Sequence, residues 1–490
     1  MKNMYRILFI LASVMLCAAE PDQNKFPLCK ICTCKFDVNE TTADVLCAAH
    51  GNYQSIYQDY FWKLNATNES VAYNSLAIHY EKLTNMTNVF PPSNLTVLDL
   101  ANNNIMSIKD SIFKNLQNMK VLILSYNDLD LIHPDTFKGL YLEARLLPLR
   151  SLKELRLDHN QLHTLNKDTF EHTTDIEILD LSHNDFQTID RHTLLAISGL
   201  PYLKKLYLQY TGIKTLPDDM LHTPRRLQIL DLSGNIGIEK IPRTLRQAIN
   251  LQELYLNNTG FVNLTQDNGF PNMPSVRVLH LCRNELLHHV GRHSLSGLTN
   301  LTDLRMSDNI DLVTIDDLAL AKPSKLTGGA IWPPIKKLYI GNNKISYLES
   351  EIIARWDSLS ELDIRENPWT CECENQWLID DLMPIYLKIN EDMAKEVMCA
   401  APVEMRYFSF YDILMKKSHM RCLDTYGNRP EKDGTLLVGI LAGVLLAIPL
   451  ILFILYAYKQ RWFSLAGYFD NSPASYSRRF YKSTPHDEDI

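Results

Sequence analysis

One eleven-residue pattern recurs along most of the chain and constrains the fold more than any other feature. The pattern is L-x-x-L-x-L-x-x-N-x-L, and LTVLDLANNNI from Leu95 is a clear copy. Eleven copies can be aligned, and a degenerate first copy, SLAIHYEKL from Ser75, has Glu81 in the asparagine place. That place falls at 81, 103, 127, 160, 184, 211, 235, 259, 284, 309, 343 and 367. Most steps are 24 or 25 residues, a period of stacked structural repeats.

Each copy predicts a short strand whose leucines point inward and whose alternate residues point outward. The asparagine turns the chain, and its buried amide can bond backbone groups of the neighbouring turn, as a threonine hydroxyl can at Thr211 and Thr259. No repeat can bury its apolar side alone, so the repeats must stack. The pattern therefore predicts an α/β fold, a curved solenoid with a parallel sheet on its concave face. The longer steps, 127 to 160 and 309 to 343, predict insertions.

The two ends of the chain predict export and a membrane anchor. Residues 1–19 have the layout of a secretory signal peptide, with basic residues, an apolar run and then small residues. Residues 435–458 are uncharged and apolar, and as a helix at ~1.5 Å per residue they can span a bilayer core of ~30 Å. Lys459 and Arg461 follow at once, which places the C-terminal tail in the cytoplasm. We expect a single-pass type I protein of the plasma membrane with its N-terminus outside the cell.

All ten cysteines precede the apolar stretch, and eight of them form two groups that flank the repeats. The first group resembles the N-terminal cap of extracellular leucine-rich repeat proteins, and the second, beginning NPWTCECENQWL, closely resembles their C-terminal cap. With the repeat pattern, this resemblance to single-pass receptors and adhesion proteins of that family covers residues 27–425. Four cysteines alone permit three connectivities. The resemblance implies the pairs Cys29–Cys34, Cys32–Cys47, Cys371–Cys399 and Cys373–Cys422.

Zinc binding is the alternative interpretation of these cysteine spacings, and an oxidising exterior argues against it. The predicted order is a signal peptide (1–19), an N-terminal cap (20–70), about twelve repeats (71–366), a C-terminal cap (367–425), a linker (426–434), a transmembrane helix (435–458) and a cytoplasmic tail (459–490).

All N-x-S/T acceptors precede the apolar stretch, which agrees with an exported glycoprotein. Asn257 occupies an outward position just after its strand, so a glycan there would cover part of the concave face. Alternatively, the turn hides this acceptor and it goes unused. The predicted acceptors are Asn39, Asn65, Asn68, Asn85, Asn94, Asn257, Asn263 and Asn300.

The sequence contains no G-x-S-x-G elbow, phosphate loop or H-E-x-x-H helix, so we predict no enzyme activity, no cofactor and no metal site. His289 and His293 are four residues apart beside His288, but they fall on the variable back of the solenoid. The net charge of −8 gives no reason to expect nucleic acid as a partner.

The middle outward residue of each strand is free to serve binding rather than packing. In the second half of the repeats these positions are rich in Tyr, His and Arg, which are enriched at binding hot spots. The alternative is a merely solvated column. We predict a protein-binding surface formed by Tyr207, Tyr255, His280, Arg305 and Tyr339.

One cysteine has no partner in this scheme. Cys282 stands at an outward position two residues before Asn284, while the caps use eight cysteines and Cys17 leaves with the signal peptide. Such a residue predicts an intermolecular disulfide, and thus a homo- or heterodimer, or else an unreactive, partly shielded thiol. In the same copy the pattern points four residues inward, Val276, Leu279, Leu281 and Leu286.

The C-terminal region offers two weaker indications of partners. Gly439 and Gly443 form a G-x-x-x-G motif that allows two helices to approach closely. The tail ends in DEDI, which resembles a ligand for a PDZ domain or another adaptor, with a plain solvated tail as the alternative.

The expected function is recognition of an extracellular or cell-surface protein, as an adhesion molecule or as a receptor or co-receptor. A first alternative is an innate-immune recognition receptor of the Toll-like kind without its signalling domain. A second is a matrix-organising structural glycoprotein.

Overall fold

The computed structural model describes residues 25–39, 41–48, 56–63, 70–142, 145–323, 329–418, 420 and 430–459. The chain divides into two compact units, Met1–Ser418 and His419–Ile490. The first contains the repeats and the second contains a long helix. The predicted signal peptide and residues 460–490 of the predicted cytoplasmic tail lie outside the described residues.

One sheet of fourteen strands runs through the described part of the first unit. Its first two strands pair antiparallel, and each later pair is parallel, which confirms the predicted parallel sheet. The strands are Thr33–Phe36, Ala43–Ala48, Tyr73–His79, Val97–Asp99, Val121–Ile123, Glu154–Arg156, Ile178–Asp180, Lys205–Tyr207, Ile229–Asp231, Glu253–Tyr255, Val278–His280, Asp303–Arg305, Lys337–Tyr339 and Glu361–Asp363.

Each short repeat strand buries its central leucine, while most of the flanking residues remain partly exposed. In Glu253–Tyr255, for example, Leu254 is fully buried while Glu253 and Tyr255 are half-buried. Because side chains alternate along a strand, the flanking residues of every repeat face the same side of the sheet. This is the concave face of the predicted solenoid.

The residues at the asparagine position make the predicted hydrogen bonds to the backbone. The Asn127 amide donates to the carbonyls of Leu124 in its own repeat and Leu100 in the preceding one, both at 3.0 Å. Its Oδ1 accepts the Ile105 N–H at 3.0 Å. At Thr211 the hydroxyl donates to the Leu208 carbonyl at 3.0 Å instead. These side chains satisfy backbone groups that would otherwise be buried without partners.

The prediction that Leu286 points inward is wrong. Leu286 is 52% exposed, and the next residue, Leu287, is fully buried. The Leu287 N–H donates to the Asn284 carbonyl at 3.0 Å, so the chain makes an extra turn before it re-enters the core. The pattern fixes the strand but not the length of the turn that follows it.

The interior behind the sheet contains a column of phenylalanines in the early repeats. Phe90, Phe113 and Phe137 are fully buried, and successive ring centroids lie 6.1 and 6.2 Å apart in stacked arrangement. Each ring therefore fills the space between two neighbouring repeats, which ties the repeats together away from the sheet.

The return segments carry the remaining short elements of the first unit. A parallel three-stranded sheet consists of Asn263–Leu264, His289–Val290 and Thr314–Ile315, and a parallel pair of Asn85–Met86 and Ser107–Ile108. Both predicted insertions contain an antiparallel pair, Leu140–Leu142 with Arg145–Leu147 and Lys322–Pro323 with Ala330–Ile331. The helical segments are Pro27–Lys30, Asp59–Phe61, Pro134–Phe137, Arg191–Ser198, Arg243–Gln247, Ser350–Ile352 and Trp356–Ser358.

Disulfides hold the cysteine groups at both ends of the repeats. Cys29 is bonded to Cys34, Cys32 to Cys47, and Cys371 to Cys399, with Cα–Cα distances of 5.5, 4.6 and 5.7 Å. Cys373 is also disulfide-bonded, and its predicted partner, Cys422, lies outside the described residues. After the last repeat come the strand pair Trp369–Thr370 with Cys399–Ala401 and the helical segments Cys373–Asn375, Leu378–Leu382, Met383–Ile389, Glu391–Lys395 and Phe410–Met415.

The second unit contains the helix Pro430–Lys459. Within it, Leu437–Ala457 is long and apolar enough to cross a membrane. Pro449 lies inside this helix. Among the described residues, and apart from the backbone of the helix itself, no atom lies within 4 Å of a Cβ placed at Gly439 or Gly443.

Candidate protein-binding surface

The five predicted binding residues lie in one continuous column on the exposed side of the sheet. Each is the last residue of its strand, and the strand register pairs Tyr207 with Asp231 and Asp231 with Tyr255. Tyr255 is paired with His280, His280 with Arg305, and Arg305 with Tyr339. Because neighbouring strands lie about 4.8 Å apart, these six side chains form one surface, which we call the binding column.

Two aromatic rings meet in the middle of the binding column. The centroids of the Tyr255 and His280 rings lie 4.5 Å apart in a tilted arrangement. The Tyr255 hydroxyl donates to Glu253 Oε2 at 2.8 Å, and burial together with this carboxylate raises the pKa of Tyr255. Burial, with a contribution from the Arg305 charge, lowers the pKa of His280. At neutral pH this part of the surface therefore presents a phenol and a neutral imidazole.

The next two strands place a guanidinium on an aromatic ring. The Arg305 Cζ lies 4.6 Å from the Tyr339 ring centroid, in the range of a cation–π interaction. Arg305 donates from Nε and Nη2 to the two Asp303 carboxylate oxygens, both at 3.0 Å. Tyr339 donates to Glu361, and burial raises its pKa to about 12. These contacts hold both side chains in place.

The first part of the binding column contains a carboxylate that the sequence prediction left out. Asp231 lies between Tyr207 and Tyr255 and is buried. It accepts the Ser233 N–H at 2.9 Å and an amide hydrogen of Gln209. Burial raises the pKa of both Asp231 and Tyr207. Its place in the column was visible in the sequence, but its residue type is not one enriched at hot spots.

The binding column combines half-buried aromatic rings with a guanidinium. Tyr255 and Tyr339 are half-buried and each donates a hydrogen bond to a glutamate, so their rings have little conformational freedom left to lose on binding. Tyrosine and arginine provide large contact areas with polar ends, which is why they dominate protein interfaces.

Comparison with known proteins agrees with this architecture. The family model described as leucine rich repeat matches residues 93–143, 150–200 and 249–310. The chain is a leucine-rich repeat protein. Toll-like receptor 3 from Bos taurus is 28% identical over 253 residues, a match that covers 46% of this chain and 28% of that protein. Tsukushi from Mus musculus is 28% identical over 228 residues, covering 46% of this chain and 60% of that protein.

The matches therefore span less than two thirds of either relative's own length. Among solved structures, a chain from the octameric complex of Latrophilin 3, Unc5D and FLRT2 aligns with a TM-score of 0.45 and 20% sequence identity. That alignment covers 77% of this chain and 96% of the other.

In this leucine-rich repeat protein Cys282 lies beside the binding column, two residues after His280. It is half-buried and forms no disulfide with another described residue. Its N–H donates to Asn257 Oδ1 at 2.8 Å, and burial raises the pKa of its thiol. The intermolecular disulfide stays a prediction.

We expect Cys282 to react at least about tenfold more slowly with iodoacetamide in the folded protein than after unfolding in urea. Only the thiolate is nucleophilic, and a raised pKa leaves little thiolate at pH 7. Peptide mass spectrometry of the alkylated chain between pH 7 and 9 measures the rate. Equal rates with and without urea would show that the thiol is freely accessible.

The repeats also set the exposure of the glycan acceptors. Asn257 is half-buried, and the threonine of its acceptor motif, Thr259, is buried with its hydroxyl donating to Leu256 and Asn284. Asn65 and Asn68 lie outside the described residues. Five acceptors are exposed, Asn39, Asn85, Asn94, Asn263 and Asn300.

The histidines on the back of the solenoid have separate partners. His289 Nδ1 contacts the Thr314 hydroxyl at 2.5 Å, and His293 Nδ1 contacts the Ala321 carbonyl at 2.6 Å. Elsewhere in the described ranges, ligand atoms of Asp110, His133 and Asp135 lie within 4.8 Å of one another. A lysine ammonium already lies 3.1 Å from Asp135, so we assign no metal to this group.

Proposed function

We propose that this chain is a type I cell-surface glycoprotein that binds a protein partner through the binding column. In this proposal it acts as an adhesion molecule or as a receptor or co-receptor, without a catalytic domain of its own. The observation that carries the proposal is the pair of preformed contacts on consecutive strands, Tyr255 with His280 and Arg305 with Tyr339.

Three further observations support the proposed location. Disulfides hold the cysteine groups at the ends of the repeats, and such bonds persist in oxidising compartments. The helix Leu437–Ala457 is long and apolar enough to anchor the chain in a bilayer. The glycan acceptors all precede this helix in the sequence. A plasma-membrane protein with the repeats outside the cell accounts for all three.

A dimer through Cys282 or the membrane helix, and an adaptor bound to the tail, belong to the same proposal. An exported receptor without its own catalytic domain must pass a signal through another protein.

The match to Toll-like receptor 3 favours one second candidate, recognition of microbial material. The two candidates differ in what the binding column would contact. An adhesion protein or co-receptor binds a host protein, whereas an immune receptor binds a pathogen-derived molecule.

A screen of the full chain in detergent micelles against displayed cell-surface and secreted proteins tests the proposal. We expect the screen to find a host protein that binds the wild-type chain. Its binding should be lost in Tyr255→Ala/His280→Ala, because the double substitution removes two half-buried rings from the centre of the column. If every partner found bound the double variant with unchanged affinity, the proposed surface would be wrong. Binding of pathogen-derived proteins alone would select the immune candidate.

A further inference from the structure

Four aromatic rings on successive repeats stack on the surface of the solenoid, outside the binding column. They belong to Tyr126, His159, His183 and Tyr210. Successive ring centroids lie 3.9, 4.0 and 4.7 Å apart, and neighbouring planes differ by 16°, 17° and 19°. We call these four residues the aromatic ladder.

Every member of the aromatic ladder occupies the position just before the turn residue of its repeat. All four have left-handed backbone conformations, with φ between 52° and 56°. Their N–H groups donate to carbonyls of the next repeat, for instance His183 to Gln209 at 2.7 Å. The backbone therefore sets the spacing of the rings.

The turn itself does not require an aromatic ring. In other repeats the same left-handed position holds Asn102, Asn258 or Asn342, residues that tolerate this conformation well. After Tyr210 the next repeat has Gly234, where a Cβ would lie 2.4 Å from the Tyr210 ring. That glycine leaves room for the last ring of the ladder.

The aromatic ladder is largely open to solvent. Tyr126 is 50% exposed and Tyr210 is 49% exposed, while the two histidines between them are half-buried. The outward edges of the four rings form a continuous apolar stripe with polar ends. Exposed stripes of this kind mark interaction sites.

The ionised groups beside the ladder are carboxylates. Asp158 accepts the Ser125 hydroxyl and lies 3.0 Å from His159 Nδ1. Asp128 accepts amide hydrogens from Asn104 at 3.1 Å and Gln161 at 3.2 Å.

Asp185 likewise accepts an amide hydrogen, from Gln187. Amide donors leave the negative charge of these carboxylates in place. The four segments that carry the ladder, 125–128, 158–161, 182–185 and 209–212, contain no lysine or arginine.

A basic residue on one of the adjoining strands, Arg156, is already engaged. Arg156 donates from Nε to Glu154 Oε1 at 2.6 Å. The charges of Asp158 and Asp180 also reach Tyr126, where they add to burial in raising its pKa. The field at the ladder is therefore negative, which disfavours nucleic acid and attracts basic groups.

We propose that the aromatic ladder binds a basic, extended segment of a partner protein. Lysine or arginine head groups of that segment bond the carboxylates of Asp128 and Asp185, and their apolar stems lie along the ring edges. Arginine is the best fit, because its planar guanidinium both stacks on aromatic rings and bonds carboxylates. This surface does not depend on the binding column, so either can be correct without the other.

A fluorescence-anisotropy measurement with the full chain in detergent micelles tests this inference. Three labelled probes are used. They are a twelve-residue peptide of alternating arginine and glycine, the same peptide with glutamate in place of arginine, and a single-stranded nucleic acid of twelve nucleotides. The principal variant is Tyr126→Asn/His183→Asn, which removes two rings without changing charge at neutral pH. The matched control is Tyr80→Asn, at a tyrosine that is 64% exposed and also left-handed but outside the ladder.

We expect the arginine peptide to bind the wild type and Tyr80→Asn equally and to bind Tyr126→Asn/His183→Asn about tenfold more weakly. Asp128→Asn/Asp185→Asn, which keeps every ring, provides a second variant with the same expected direction. Unchanged binding in both double variants would overturn the inference. Equal or tighter binding of the glutamate peptide or the nucleic acid would overturn it as well.

Discussion

Replacing Asn103 with alanine should lower the free energy of unfolding by about 3 kcal/mol or more, because buried backbone groups lose their partners. The Asn103 amide donates to the carbonyls of Ile78 at 2.7 Å and Leu100 at 3.0 Å. Its Oδ1 accepts the Glu81 N–H at 3.0 Å. Alanine supplies none of these bonds. The Leu100 carbonyl keeps its bond from the Asn127 amide, whereas the Ile78 carbonyl and the Glu81 N–H lose theirs, and each buried group left unpaired costs about 1–3 kcal/mol.

The next residue along the chain is a matched control. Asn104 is exposed, and its amide donates to Asp128 on the surface, so Asn104→Ala should change stability by less than about 0.5 kcal/mol. Urea unfolding of the two variants in mild detergent, followed by circular dichroism, measures the difference. Equal midpoints for the two variants would contradict the structural role of the asparagine place.

Replacing Phe113 with alanine should destabilise the repeats by about 3–5 kcal/mol. The ring is fully buried between Phe90 and Phe137, so truncation loses contacts on both faces and leaves a cavity between two repeats. Phe408→Ala is the control, because that ring is 43% exposed and its removal leaves no enclosed cavity.

Thermal unfolding of the full chain in detergent compares the two phenylalanine variants. The Phe113→Ala transition should fall clearly below that of Phe408→Ala. If the two midpoints coincided, the phenylalanine column would not be a main source of cohesion between the early repeats.

The repeat strands could be predicted because their pattern follows from two physical requirements. The inward leucines must alternate with outward residues, and the turn must satisfy its buried backbone groups, as Asn127 and Thr211 do. The turn after the asparagine obeys no such rule. Its length varies between repeats, and this is why the inward position fell on Leu287 rather than Leu286.

The location of the binding column could be predicted from the same alternation, whereas the contacts within the column could not. Arg305 reaches both Asp303 on its own strand and the Tyr339 ring on the next strand. These contacts depend on side-chain rotamers, which a repeat pattern does not specify.

The aromatic ladder was missed for a related reason. Its position belongs to the variable part of the pattern, and the left-handed backbone that aligns the rings cannot be read from a single copy. The indication was present across copies, since SYND, DHNQ, SHND and QYTG place an aromatic residue before the turn residue in four successive repeats.

The central claim is that partner binding depends on the binding column, and two similar pairs of residues test it most directly. Arg305 lies on the Tyr339 ring at 4.6 Å within the column, and Arg226 lies on the Tyr202 ring at 4.7 Å outside it. The measurement is the dissociation constant of a partner from the screen for the full chain and for each double alanine variant. Arg305→Ala/Tyr339→Ala should weaken binding by about thirtyfold, while Arg226→Ala/Tyr202→Ala should stay within about twofold of wild type. Equal affinities for the two variants would contradict the claim.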